Sequence, residues 1–333
     1  MGYSEEEIYE ILKDIPVKNA NNKIIDGAIV LEGGAFRGVY QEGVLDCLME
    51  HDYNFSTTIG VSAGALNGVN YTLGQIGRAA HINIRYRHDG RYVGINAFIK
   101  SRLKSVIGFD FVFGNLPDLP NLDIEELRNN GRKFVAVATN LETGRAEYFE
   151  NYRDDILTCV RASSTLPYIS RPVLINDIPY LDGGCYDRIP YNWAINEGYK
   201  NIIVVRTRNK GFRINNNFEK KYKLARRWYS GYDDFAVNLA KTDDSYNIQC
   251  DELEKLEEAN RVFVIYPSEE IHVKMLEGDL HKLKYLYDLG YNDCKNRLEE
   301  LEKYLNRNWC IKCVNFSIWA FVGTNLYNKL ILI

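Results

Sequence analysis

Three short stretches hold residues whose types and spacing suit chemistry. The first is Gly60-Val61-Ser62-Ala63-Gly64, a serine with glycines two positions before and after it, directly behind a β-branched run. A hydroxyl nucleophile must stand clear of the backbone, and a sharp strand-to-helix turn achieves this with crowded backbone angles. Glycines at 60 and 64 let neighbouring chain approach without Cβ clashes. Ser62 would then sit at a helix N-terminus, whose free N–H groups and positive dipole end favour developing negative charge. The alternative is a serine that only caps the helix.

The second stretch, EGGAFRG at 32–38, also reads as strand to helix. Backbone N–H groups at Gly33, Gly34, Ala35 and Phe36 can hold a phosphate or an oxyanion. A dinucleotide site is the rival, with Gly33 and Gly38 at the outer positions of its fingerprint. Ala35 occupies the middle glycine position, and the second strand ends in Gly60-Val61-Ser62 where a ribose-binding acid is wanted. The third stretch is LDGGCYDRIP at 181–190. Asp182, ending a strand before Gly183 and Gly184, can project into the crevice at the strand ends, where ligands bind in open α/β sheets. A solvated turn aspartate is the alternative.

The elements that must position these residues follow from periodicity and punctuation. Ser4, with Glu7 three residues on, predicts a capped helix over 4–14. Apolar runs predict buried strands at 27–34, 57–61, 202–205 and 262–267. Helical spacing marks 37–51 and 62–75, and 153–163 reads as another helix. The stretch 134–150 reads as a hairpin turning at 142–144, and 177–184 as a short strand into a glycine turn. A helix before Gly198 and an amphipathic helix over 281–304, broken near Gly290, complete the reading. Strands alternating with helices predict an α/β fold, a mainly parallel sheet covered by helices on both faces, with a helical C-terminal region. The expected units are a core at 24–270, the helical region at 271–307 and an apolar tail at 308–333.

Length and composition fit this. The chain has 333 residues, 46% hydrophobic and 26% charged, enough for a sizeable core. A net charge of −4 carries no global basic footprint for nucleic acid. The acidic N-terminus reads as no secretory signal, and Glu6 stands where a myristoylation site wants Ser or Thr. Seven scattered cysteines then read as reduced thiols of a soluble, cytoplasmic protein. No cluster has convincing metal-ligand spacing, and no cofactor is expected.

Taken together, the three stretches resemble the patatin-like phospholipase family, from about residue 27 to 205. The softer features ALNG after the serine, TNLETG in the hairpin and ASSTLPYISRP before the third stretch belong to the same likeness. The resemblance implies acyl-ester hydrolysis by a Ser–Asp dyad without histidine. Ser62 would be the nucleophile, Asp182 the general base, and the amides of 33–36 the oxyanion hole. Arg37 would orient the glycine loop, with a helix-surface ion pair as its other reading. Many relatives carry a third glycine where this chain has Ala35; a backbone N–H survives that change, slightly more crowded. Beyond about residue 210 the likeness fades.

A Ser-Asp-His triad esterase or thioesterase is the enzymatic alternative, and after Asp182 only His272 and His281 remain to complete it. That rival expects several strands before the nucleophile, whereas Ser62 follows the second. A binding protein for an anionic ligand is the non-enzyme alternative. The stretch 92–113 mixes apolar residues with Lys100, Arg102 and Lys104 and reads as a lid or acyl-chain wall, or else as core. The stretch 206–228 holds nine basic residues and one acid. It reads as a face for peripheral contact with anionic headgroups, or as an ordinary solvated face. The tail, interrupted by Lys312 and Lys329, is too broken to span a membrane. An interfacial anchor, an added strand and an extension without a role are its readings. Its Cys310-Ile311-Lys312-Cys313 supplies half of a four-cysteine zinc site.

Overall fold

The computed structural model describes residues 2–100 and 105–307. A short helix, α1 (Glu5–Leu12), opens behind the Ser4 capping box: the Ser4 hydroxyl accepts from Glu7 N and the Glu7 carboxylate from Ser4 N. Then come β1 (Ile24–Leu31), α2 (Gly38–Glu50), β2 (Asn54–Val61), α3 (Ala63–Thr72) and α4 (Arg78–Arg85). Next are β3 (Lys133–Asn140), β4 (Ala146–Glu150), α5 (Ile156–Ser163), β5 (Val173–Ile175), β6 (Ile178–Asp182), α6 (Tyr191–Asn196) and β7 (Ile202–Val205). The chain continues through α7 (Phe218–Trp228), α8 (Asp233–Glu258), β8 (Phe263–Ile265), α9 (Leu280–Asn296) and α10 (Leu298–Leu305).

The strands form one sheet in the order β8-β7-β1-β2-β3-β6-β5, with β4 also on β3. The run from β8 to β3 is parallel; β4, β5 and β6 are antiparallel. The predicted α/β fold, mainly parallel and helix-covered, is therefore the fold observed, and the C-terminal region is helical. Alternation along β1 shows why helices cover both faces. Ile29 and Leu31 pack in one cluster with α2 and α9, while Ala28 and Val30 pack on the other side with residues of α6 and α8.

The join between the parallel and antiparallel strands builds the site. A strand has two hydrogen-bonding edges. Val135–Val137 of β3 pair with both β2 and β4, so those two lie on opposite edges. Ala138 and Thr139 pair with both β4 and β6, so β6 shares the β2 edge. β2 ends with Val61 opposite Val137, and β6 arrives from the other direction with Asp182 opposite Ala138. The C-terminal ends of β2 and β6 therefore face each other along one edge of β3.

Several boundaries differ from the sequence reading. The helix expected over 153–163 starts at Ile156, and the one expected to reach residue 75 stops at Thr72. Gly290 does not break the C-terminal helix; α9 runs through it, and the break falls at Arg297. A Cβ on Gly290 would lie 1.9 Å from the Tyr40 carbonyl oxygen, so this glycine lets α9 cross close over α2. The 26-residue α8 was not anticipated at all. Among the described residues no helix is long and apolar enough to cross a membrane. The readings of the tail and of Arg102 and Lys104 fall outside the described residues.

Candidate active site

The elbow at Ser62 is built by close backbone approach. Ser62 sits at φ +58°, ψ −123°, a conformation an L-residue adopts only when its surroundings hold it there. A Cβ on Gly60 would come within 2.3 Å of the Gly64 carbonyl oxygen, and one on Gly64 within 2.4 Å of the Leu31 carbonyl oxygen. Both glycines are thus required for the turn to close over β1. The elbow is also clamped from α5: Ser62 N donates to Ser163 Oγ at 3.0 Å, and Ser164 Oγ donates to the Ser62 carbonyl at 3.0 Å.

Asp182 reaches Ser62 because β6 abuts β2. The Ser62 hydroxyl donates to Asp182 Oδ2 at 2.6 Å, and Gly184 N donates to Asp182 Oδ1 at 2.8 Å. Gly183 passes so close to β3 that a Cβ would lie 2.2 Å from the Val137 carbonyl oxygen. Thr139 Oγ1 donates to the Asp182 carbonyl at 2.9 Å, and Asp182 N donates to the Thr165 carbonyl at 2.9 Å. Both side chains are buried, Ser62 at 8% exposure and Asp182 at 5%. Burial pushes the Asp182 carboxyl up to about 6, against the downward pull of the Ser62 hydroxyl, the Gly184 N–H and Arg188. At neutral pH it is still mostly ionised and able to accept the serine proton.

The glycine loop lies alongside. Gly33 N donates to the Arg188 carbonyl at 3.3 Å and Phe36 N to the Met275 carbonyl at 3.5 Å. The amides of Gly34 and Ala35 have no acceptor among the described residues. Ala35 holds φ +49°, so its departure from glycine is a matter of backbone strain rather than crowding. Arg37 makes no ion pair among the described residues, and its buried Nε has no partner there. Burial, with Arg208 nearby, brings its pKa down to about 10.

Residues the sequence reading passed over hold the loop. Glu32 Oε2 accepts from Arg206 Nε at 2.9 Å and from Thr207 N at 2.6 Å, while Oε1 accepts from Tyr246 OH at 2.7 Å. Thr207 Oγ1 donates to the Gly33 carbonyl at 3.0 Å. From α8, Thr242 Oγ1 donates to the Gly184 carbonyl at 3.0 Å, and Asp243 pairs with Arg188. On the other flank Asn67, from the ALNG stretch, donates to the Gly38 carbonyl at 2.9 Å. The softer sequence features are thus the scaffolding of the elbow.

A cavity of about 60 Å³ opens beside Ser62, walled by Val39, Leu66, Val93, Ile107, Leu166 and Leu276, with Glu42 and Asn83 also in its lining. Of the stretch read as a lid, an acyl-chain wall or core, Tyr92, Val93 and Ile107 line the cavity, and Phe109 and Val112 are buried core. His272 sits elsewhere, its side chain 78% exposed and 3.9 Å from Glu270. The hydrogen bonds to the Asp182 carboxylate come from Ser62 and Gly184, with no histidine among the described residues. Of the basic stretch, Arg206 is buried on Glu32, and Lys210, Arg213 and Lys221 pair with carboxylates of α8.

Comparison with known proteins places the chain in a family. A family model described as patatin-like phospholipase matches residues 29–195, and one described as a domain of unknown function matches 232–306. The chain is 29% identical over 270 residues to the uncharacterized protein YjjU of Escherichia coli K12, covering 79% of this chain and 74% of that protein. It is 25% identical over 181 residues to the probable lipid hydrolase 463L of Invertebrate iridescent virus 6, covering 50% of this chain and 62% of the viral protein. Among solved structures, VipD from Legionella pneumophila aligns with a TM-score of 0.42 at 13% identity, over 90% of this chain and 69% of VipD.

Proposed function

The chain belongs to the patatin-like phospholipase family, and from that premise we propose that it hydrolyses lipid-class acyl esters, with Ser62 as nucleophile and Asp182 as general base. The observation that carries the reading is the 2.6 Å hydrogen bond from a buried serine hydroxyl to a buried carboxylate at a strand–helix elbow. The viral relative's description as a probable lipid hydrolase supports the substrate class.

The steps follow from the groups present. Ser62 Oγ attacks the ester carbonyl carbon as its proton passes to Asp182 Oδ2. The carbonyl oxygen, now negative, is taken up by the amides of Gly34 and Ala35, which have no other acceptor among the described residues. The tetrahedral centre collapses, the bond to the alcohol oxygen breaks, and Asp182 returns its proton to that oxygen. Water then attacks the acyl-serine carbonyl, giving its proton to Asp182. The second collapse releases the acid, and Ser62 recovers its proton. Asp182 thus serves as base and acid in turn, a role suited to a pKa near 6.

The test pairs fluorophosphonate labelling with hydrolysis of p-nitrophenyl esters and a phospholipid. Ser62→Ala should abolish labelling and turnover, Asp182→Asn should abolish turnover in a folded protein, and His272→Ala should keep both. In the wild type kcat/KM should rise with pH through about 6 and then level off. Turnover that survives Ser62→Ala, or dies with His272→Ala in a folded protein, overturns the dyad.

A further inference from the structure

The basic stretch divides into two populations of charge. The first is paired: Arg206 is sealed against Glu32, and Lys210, Arg213 and Lys221 are matched by Glu257, Asp251, Glu254 and Asp243. Outward, α7 shows Lys220, Lys223, Leu224, Arg227 and Trp228, all exposed. These occupy positions i, i+3, i+4, i+7 and i+8, a single stripe along one helical face. The opposite side of α7 is anchored, with Ala225 and Tyr229 buried in a cluster with Leu181, Cys185 and Phe235. Lys220, Lys223 and Arg227 have no ion-pair partner among the described residues.

An ordinary solvated helix keeps its large apolar residues off the cationic face. Here Leu224 is 46% and Trp228 58% exposed, in line with three unpaired cations. The Tyr168 ring meets Trp228 edge-on at 6.0 Å, and Ile169 beside it is 39% exposed, so the apolar area extends past the helix. Cations interleaved with tryptophan and leucine on one face are the composition of a helix lying in a bilayer interface. The indole tolerates the headgroup boundary, and the long lysine and arginine stems let charge rise to the phosphates while carbon stays low.

We propose that this face of α7, with Tyr168 and Ile169, seats the protein on an anionic lipid surface. The inference rests on the reading of the protein as a lipid hydrolase, for which a substrate-bearing surface is where the ester lies. The seat is joined to the site by one short segment: Ser163 and Ser164 bond the Ser62 backbone, and a few residues on, Tyr168 N donates to Tyr229 OH at 2.8 Å. Charge complementarity selects the occupant, since each well-placed cation is worth about fivefold in partitioning onto an anionic leaflet.

The experiment is cosedimentation of the full chain with phosphatidylcholine vesicles, with and without phosphatidylglycerol, alongside hydrolysis of a soluble p-nitrophenyl ester. Binding should require phosphatidylglycerol and weaken with salt. The triple variant Lys220→Glu, Lys223→Glu, Arg227→Glu should lose about 100-fold or more in binding, and Leu224→Ser with Trp228→Ala about tenfold. Both should keep wild-type circular dichroism and soluble-ester turnover. Wild type that ignores anionic vesicles, or a folded triple variant that binds them unchanged, overturns the proposal. The two readings fail separately. Docking without turnover of any ester removes the hydrolase and leaves the seat; turnover of soluble ester without docking removes the seat alone.

Discussion

Glu32 and Glu42 flank the same glycine loop, and both are buried, at 1% and 3% exposure. Their surroundings differ completely. Glu32 takes three hydrogen bonds, one from the Arg206 guanidinium, so a full negative charge is matched in place. Glu42 takes one, from Asn83 Nδ2 at 2.6 Å, and its Oε2 has no partner among the described residues. No cation pairs with it there, and Asp46 stands one helical turn on. Burial and the Asp46 carboxyl therefore push Glu42 well above the ordinary carboxylate range, with the Asn83 hydrogen bond pulling back weakly. The lesson concerns what a buried acid is used for. On the loop side, charge and counter-charge fix the backbone that presents Gly34 and Ala35. On the cavity side, an acid without a counter-ion keeps its proton to higher pH than an ordinary carboxylate.

The largest effect should come from breaking the matched side. Arg206→Met leaves Glu32 buried without its cation and should cost about 3–5 kcal/mol by denaturant unfolding; a loss under about 1 kcal/mol would mean Glu32 is not held by charge. Next comes Asp46, whose carboxyl burial raises to about 7 despite bonds from Gly77 N and Tyr287 OH. A carboxyl that keeps its proton longer when folded binds more protons than the unfolded chain between its ordinary value and about 7. Its contribution to stability therefore falls as pH rises through that window, by at most about 1.4 kcal/mol per pH unit. Asp46→Asn should gain on the wild type from pH 4 to 7 and run parallel above; a constant difference would show an ordinary ionised aspartate. Tyr246→Phe removes the hydrogen bond to Glu32 and the one its hydroxyl accepts from Arg206, and should cost about 1–2 kcal/mol. Glu42→Gln should be the mildest, within about 1 kcal/mol, because it keeps the shape and the Asn83 bond and strips no cation of its partner; a loss as large as that of Arg206→Met would erase the contrast.

How much of this was legible in the sequence depends on how far each constraint reaches. The elbow was legible because Gly60 and Gly64 are dictated by neighbours a few ångströms away, and such backbone demands leave a fixed local spacing. The glycine loop was legible for the same reason, though not that Gly33 and Phe36 would give their amides to Arg188 and Met275. Gly290 misled, because a glycine that permits close helix crossing looks in sequence like one that ends a helix. The brace on Glu32 was invisible: Glu32 and Tyr246 lie in segments with no local relation, and neither announces a partner. The helix that carries Tyr246 did leave a signal, since Phe235, Leu239, Tyr246, Cys250 and Leu253 recur at helical spacing and are all buried. Many polar residues between them dilute that pattern.

The end-to-end meeting of β2 and β6 makes the Ser62–Asp182 pair depend on long-range docking. Ser62 and Asp182 are 120 residues apart in sequence and come together only when both strands have docked on the same edge of β3. β6 is held there by three paired positions and by the short β5. Contacts of such separation form late, because the intervening chain must lose its freedom first. Opening only the β5–β6 hairpin would part the two side chains while most helices remain folded. If Ser62 is the nucleophile proposed, its fluorophosphonate labelling in rising denaturant should vanish before the helical signal does.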